Sequence, residues 1–176
     1  MANEVIGTVL ITEDEIKAKA VELGEIITND FAGEEVILVG ILRGSVPWMA
    51  ELMKRINLSM KIDFMACSSY GADTKSSGQV KIVKDLEFDI SGKNVIIVED
   101  IVDSGLTLKY LKGYMEARNV GSVRICTLLD KPSRRKVDIH VDYSGFKVDD
   151  KFIVGYGLDY DQKYRNLPYI TYLEEE

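Results

Sequence analysis

Histidine is almost absent from this chain: His140 is the only one. A His-based metal centre or a Ser-His-Asp arrangement therefore has no support. His140 lies in the alternating stretch Val137-Asp138-Ile139-His140-Val141-Asp142 and reads as a surface strand residue. The two cysteines, Cys67 and Cys126, stand far apart, without metal-ligand spacing, in apolar-patterned segments. They read as buried thiols of a reducing compartment. No internal repeat, linker or low-complexity tract divides the sequence, so residues 1–176 read as one domain. No run approaches the length of a membrane span, and no basic, apolar leader opens the chain. The expectation is a cytoplasmic protein with no membrane partner. Positive charge is in deficit, with 22 Lys and Arg against 29 Asp and Glu, a net charge of −7. That balance argues against a nucleic-acid partner but leaves room for small anions held by local geometry.

What is present is an alternation of apolar strands and amphipathic helices. Thr12-Glu13-Asp14-Glu15 is a capping box, followed by an apolar stripe at Ile16, Ala20, Leu23, Ile27 and Phe31, with Gly33 beyond its end. Val36 to Ile41 reads as a buried strand, and Val46 to about Arg55 as a helix with Pro47 in its first turn. Met60, Ile62, Phe64 and Ala66 alternate with Lys61, Asp63 and Met65 as in a half-buried strand. Residues 68–79 are polar, Gly/Ser-rich and without apolar period, which suits a lid or binding loop. Strand-like segments recur at Val80 to Leu86, from Val95, and at Val123 to Leu129, with a helix over Leu106 to Arg118. The pattern predicts an α/β fold with a mostly parallel central sheet flanked by helices. The antiparallel-looking middle and the tail would add a small cap at the sheet's carboxyl edge.

The most informative tract is Val95-Ile96-Ile97-Val98-Glu99-Asp100-Ile101-Val102-Asp103-Ser104-Gly105-Leu106-Thr107. An apolar strand ends in two adjacent carboxylates, then a third, then Ser-Gly and a Thr that can open a helix. Ligands of open α/β sheets bind beyond the carboxyl ends of such strands. Small residues at a helix N-terminus suit a phosphate, and paired acids suit Mg²⁺ or ribose hydroxyls. Phosphate, ribose and metal together point to a phosphorylated sugar.

This tract resembles the phosphoribosyl diphosphate (PRPP) motif of the type I phosphoribosyltransferases, in the form carried by their 6-oxopurine branch, the hypoxanthine-guanine phosphoribosyltransferases. The resemblance runs from about Ile37 to Arg165, with the principal motifs in family order. It implies the type I phosphoribosyltransferase fold, with a core over about 34–150, a hood from the N- and C-terminal segments and a mobile lid over about 68–79. It implies a Mg²⁺-dependent pentosyl transfer in purine salvage, from PRPP to N9 of hypoxanthine or guanine, giving IMP or GMP and pyrophosphate. The family also implies a homodimer or homotetramer.

Residue by residue, the resemblance assigns Asp103, Ser104, Gly105, Leu106 and Thr107 to the 5′-phosphate. Glu99 and Asp100 hold the ribose hydroxyls, directly or through Mg²⁺, and Asp103 is also the candidate acid/base near N7 of the purine. Leu42, Arg43 and Gly44 match the pyrophosphate loop, which carries a non-proline cis peptide at Leu-Arg, and Arg165 matches a distal pyrophosphate arginine. Asp159 matches an acid that ligates the second Mg²⁺, and it is also placed beside the base. Lys131 matches the lysine on the purine O6; being a donor only, it favours a 6-oxo over a 6-amino base. Phe152 matches the stacking aromatic and Ile153 the residue whose backbone reads the base edge. Ser69 and Tyr70 match the lid pair, whose closure would shield an oxocarbenium-like centre from water. Two rival readings share this fold: a non-catalytic regulator that binds PRPP or nucleotides, and a transferase for xanthine or a pyrimidine. A nicotinamide or P-loop enzyme is disfavoured because neither fingerprint occurs.

Overall fold

The computed structural model describes residues 4–69 and 80–175. The elements run β1 (Glu4–Ile11), α1 (Glu13–Asp30), β2 (Glu35–Leu42), α2 (Val46–Leu52), β3 (Ser59–Ser69), β4 (Val80–Lys84), β5 (Asn94–Val102), α3 (Leu106–Glu116), β6 (Ser122–Asp130), β7 (Tyr143–Lys147), β8 (Ile153–Val154) and β9 (Ile170–Glu175). Short 3₁₀ turns follow α2 and β6. No described helix is long and apolar enough to cross a membrane.

Six strands form one sheet in the order β4-β3-β2-β5-β6-β7, with every neighbouring pair parallel except β3 and β4. The central strands carry continuous apolar runs, residues 36–39, 95–98 and 128–129 among them, because both sheet faces are covered. Val36, Leu38, Ile96 and Val98 pack with α1 and α2. Ile37, Val39, Val95 and Ile97 face the other way and pack with Leu108, Leu111 and Met115 of α3. The capping box of α1 is present: Thr12 Oγ1 accepts from the Glu15 amide, and Glu15 Oε2 accepts from the Thr12 amide. β1, β9 and β8 make a second, antiparallel sheet from the two ends of the chain.

Four expectations change. β4 does not join a cap; it extends the central sheet as an antiparallel edge strand beside β3. In β3 the buried set is Asp63 and Met65, while Ile62 is 42% exposed. The reason is Asp63, whose carboxylate accepts from the amides of Glu87 and Phe88 and from Lys84, so this face carries the crossing chain between β4 and β5. Residues 137–142 are not a strand, although His140 is on the surface; the edge strand begins at Tyr143. Cys126 is buried but Cys67 is only half-buried. Burial pushes the Cys126 thiol up to about 12.

β2 and β5 are neighbours, yet the chain leaves β2 toward β3 and β5 toward β6. The loops after them diverge, and a crevice opens at the carboxyl edge of the sheet.

Candidate active site

The loop after β5 encloses a cavity of about 160 Å³, lined by Glu99, Asp100, Asp103, Ser104, Gly105 and Thr107, among others. Gly105 stands at the start of α3 with φ +79°, and a Cβ there would also crowd Ile139. Gly105 at the N-cap brings no side-chain oxygen to α3, which leaves the amides after Leu106 without a capping acceptor at the cavity. Ser104 Oγ accepts from the Leu106 amide at 3.4 Å and tightens the turn. Arg135 braces the loop from behind: its Nη1 donates to the carbonyls of Val102 (3.1 Å) and Asp103 (2.7 Å), and its Nη2 pairs with Asp130.

Glu99 and Asp100 are both held above their ordinary values. For Glu99 the cause is burial, then the charge of Asp100. For Asp100 it is burial, opposed by Arg165 and helped by Asp159. A cation placed beside them would reverse this cost. Among the described residues no three His, Cys, Asp or Glu side chains are arranged as a complete metal cage. Mg²⁺ does not need one, since it keeps several waters and takes one or two carboxylates plus substrate phosphates. The donor set around Asp100 and Asp159 fits that ion.

Across the crevice, Leu42-Arg43 is a cis peptide bond. Its loop lies so close to β5 that a Cβ on Gly44 would sit 1.6 Å from Asp100 Oδ2. On its other side, a Cβ on Gly157 (φ +103°) would sit 2.0 Å from the Gly44 carbonyl. The tail is therefore clamped onto this loop. Arg165 donates to the Gly157 carbonyl at 2.6 Å and pairs with Asp159 at 2.7 Å. Its Nε is buried with no hydrogen-bond partner among the described residues. Arg43 is exposed and reaches across to Gln162.

Beyond β6, Lys131 is buried, and its Nζ donates to the Lys151 carbonyl at 2.6 Å. That contact holds the ammonium next to Phe152 and Ile153. Phe152 is 53% exposed, against 5% for Ile153, and meets Tyr160 edge-on at 5.4 Å between centroids. An exposed phenyl face is available for stacking in a way that a core Phe is not. Asp103 accepts from Arg134 Nε at 3.2 Å, and the same guanidinium reaches Asp150 at 3.3 Å.

The structure thus gathers Glu99, Asp100, Asp103, Ser104, Gly105, Leu106, Thr107, Leu42, Arg43, Gly44, Asp159 and Arg165 around one crevice. Lys131, Phe152 and Ile153 form its neighbour beyond β6. Of the lid, Tyr70 and residues 71–79 lie outside the described residues, as does the Ser69 side chain. The sequence reading missed Gln162, Arg134 and Arg135. The two arginines close the short turn that follows β6, which is a usable signal; Gln162 gives none.

The family described as phosphoribosyl transferase domain matches residues 11–161. The hypoxanthine-guanine phosphoribosyltransferase of Streptococcus mutans is 53% identical over 176 residues, covering 100% of this chain and 98% of that protein. The Lactococcus lactis protein of the same name is 51% identical, over 99% of this chain and 94% of that one. Among solved structures, a hypoxanthine phosphoribosyltransferase from Staphylococcus aureus superposes with a TM-score of 0.93 at 49% identity, covering 96% of this chain and 92% of that one. Fold, site and likeness agree: the chain belongs to the phosphoribosyltransferase family and, within it, to the hypoxanthine-guanine phosphoribosyltransferases.

Proposed function

We propose that this enzyme transfers the 5-phosphoribosyl group of PRPP to N9 of hypoxanthine or guanine, releasing pyrophosphate and giving IMP or GMP. The observation that carries the reading is the single crevice in which the acid pair Glu99-Asp100 and the start of α3 face Gly44 and Arg165. That crevice has a place for each part of PRPP. The amides at the start of α3, with Ser104 and Thr107, take the 5′-phosphate. Glu99 and Asp100 take the ribose hydroxyls. The Leu42–Gly44 loop and the Arg165 guanidinium take the pyrophosphate end.

The N9–C1′ bond forms as the C1′–O bond to pyrophosphate breaks, through a centre of oxocarbenium character. Bound at Asp100 and Asp159, Mg²⁺ would supply positive charge to the departing pyrophosphate. Lys131 donates to the purine O6, Phe152 stacks on the ring, and the Ile153 backbone reads the base edge. Asp103 takes the proton that the purine loses at N7. The three-stranded sheet of β1, β9 and β8 serves as the hood, and residues 68–79 as the lid.

The test is a product assay with PRPP and Mg²⁺ and, separately, hypoxanthine, guanine, xanthine, adenine and uracil. Nucleoside monophosphate is expected from the 6-oxopurines and none from adenine or uracil. Chelation of Mg²⁺ should abolish it. PRPP binding without product from any base would point instead to a regulator on the same fold.

A further inference from the structure

Gln162 stands outside every motif that marks the site, yet it touches three residues that belong to them. Its Oε1 accepts from Arg43 Nη1 at 3.0 Å and from Arg165 Nη2 at 3.3 Å. Its Nε2 donates to Asp159 Oδ2 at 3.3 Å, and its backbone N–H to the same oxygen at 2.8 Å. The amide has only one sensible orientation. The reverse would set NH₂ against two guanidiniums and oxygen against a carboxylate. The chain adopts a left-handed conformation to bring it there, with φ +48° at Asp161 and +64° at Gln162.

From this geometry we infer that Gln162 is a positioning residue for the pyrophosphate end of PRPP. Arg43 and Arg165 lie 122 positions apart in the chain (165 − 43). Arg165 is already anchored by Asp159 and the Gly157 carbonyl, but without Gln162 the exposed Arg43 side chain would spread over many rotamers and turn away from the like charge. One carbonyl oxygen accepts from both, using its two lone pairs, and so fixes their spacing before the anion arrives. The NH₂ group of the same side chain fastens that bracket to Asp159. A neutral acceptor orders the guanidiniums without cancelling the charge that attracts a diphosphate. Binding then costs less ordering, because the cations are already placed.

This inference rests on the functional reading above and concerns only one end of the substrate. Its test compares the parent with Gln162→Met, which keeps the length and removes both polar atoms, and Gln162→Glu, which keeps an acceptor for both guanidiniums but adds a negative charge beside them. Gln162→Met should raise KM for PRPP and the inhibition constant of pyrophosphate by roughly tenfold, with KM for hypoxanthine and the unfolding midpoint unchanged. Gln162→Glu should not recover that loss, because its charge offsets the two guanidiniums and faces Asp159. Unchanged constants in Gln162→Met would overturn the inference. So would a parallel rise in both KM values with a lower midpoint, or parent-like constants in Gln162→Glu. A parent that makes no nucleotide would overturn the functional reading itself, whereas an active parent with an indifferent Gln162→Met overturns only the positioning role.

Discussion

A methyl group at position 44 would lie 1.6 Å from Asp100 Oδ2. Gly44→Ala must therefore displace the carboxylate or the loop. Steady-state kinetics should show kcat/KM for PRPP reduced by roughly 10–100-fold, the equivalent of about 1–3 kcal/mol of overpacking. Asp103 is a different kind of residue, part-exposed and touched by Arg134. As proton acceptor it should be replaceable without loss of binding. Asp103→Asn should cut kcat by roughly 10²–10⁴ with little change in KM for PRPP. Unaltered turnover in that variant would remove Asp103 from the mechanism.

At the scale of elements, α2 carries a buried carboxylate, Glu51, at its C-terminal end. Burial alone would raise its pKa, but hydrogen bonds from Lys54 and Arg55 overcome this and leave it lowered. A lowered folded pKa stabilises above the unfolded value of about 4.3, and that contribution fades as pH falls through the folded value. Glu51→Gln should then lower the unfolding midpoint at pH 7, and the gap to the parent should close below about pH 4. A gap independent of pH would mean that packing, not charge, is at stake. The elements themselves were legible to different degrees. β2, β5 and β6 could be read because both their faces are buried and their apolar runs are continuous, and α1 because its capping box is local. β1 could not, because what makes Glu4–Ile11 a strand is β9, at the far end of the chain. Asp63 misled the reading of β3, since a carboxylate counts as polar until its distant donors are seen. The site followed the same division. Glu99 to Thr107 lie in one continuous stretch and were legible. Gln162 owes its place to a fold-back across the crevice, which leaves no periodic trace.

For the molecule as a whole, the hydrogen bonds of greatest sequence separation tie the second sheet together. Thr171, fully buried, has one hydroxyl proton that the carbonyls of Gly7 and Thr8 share, at 2.8 and 2.9 Å. Thr171→Val keeps the shape and removes the donor that the two carbonyls share. It should cost about 1–3 kcal/mol in denaturant unfolding without changing KM for either substrate. A further constraint lies at the other end of the molecule. The chain between β4 and β5 belongs to no ladder, yet the amides of Glu87 and Phe88 are held by the buried carboxylate of Asp63. In hydrogen exchange these two amides should behave as strand amides, protected to the level of β3 itself. The connection then acts as a fixed strut. The crossing chain is thus fastened to β3, on the far side of β2, before it enters the strand that carries Glu99 and Asp100.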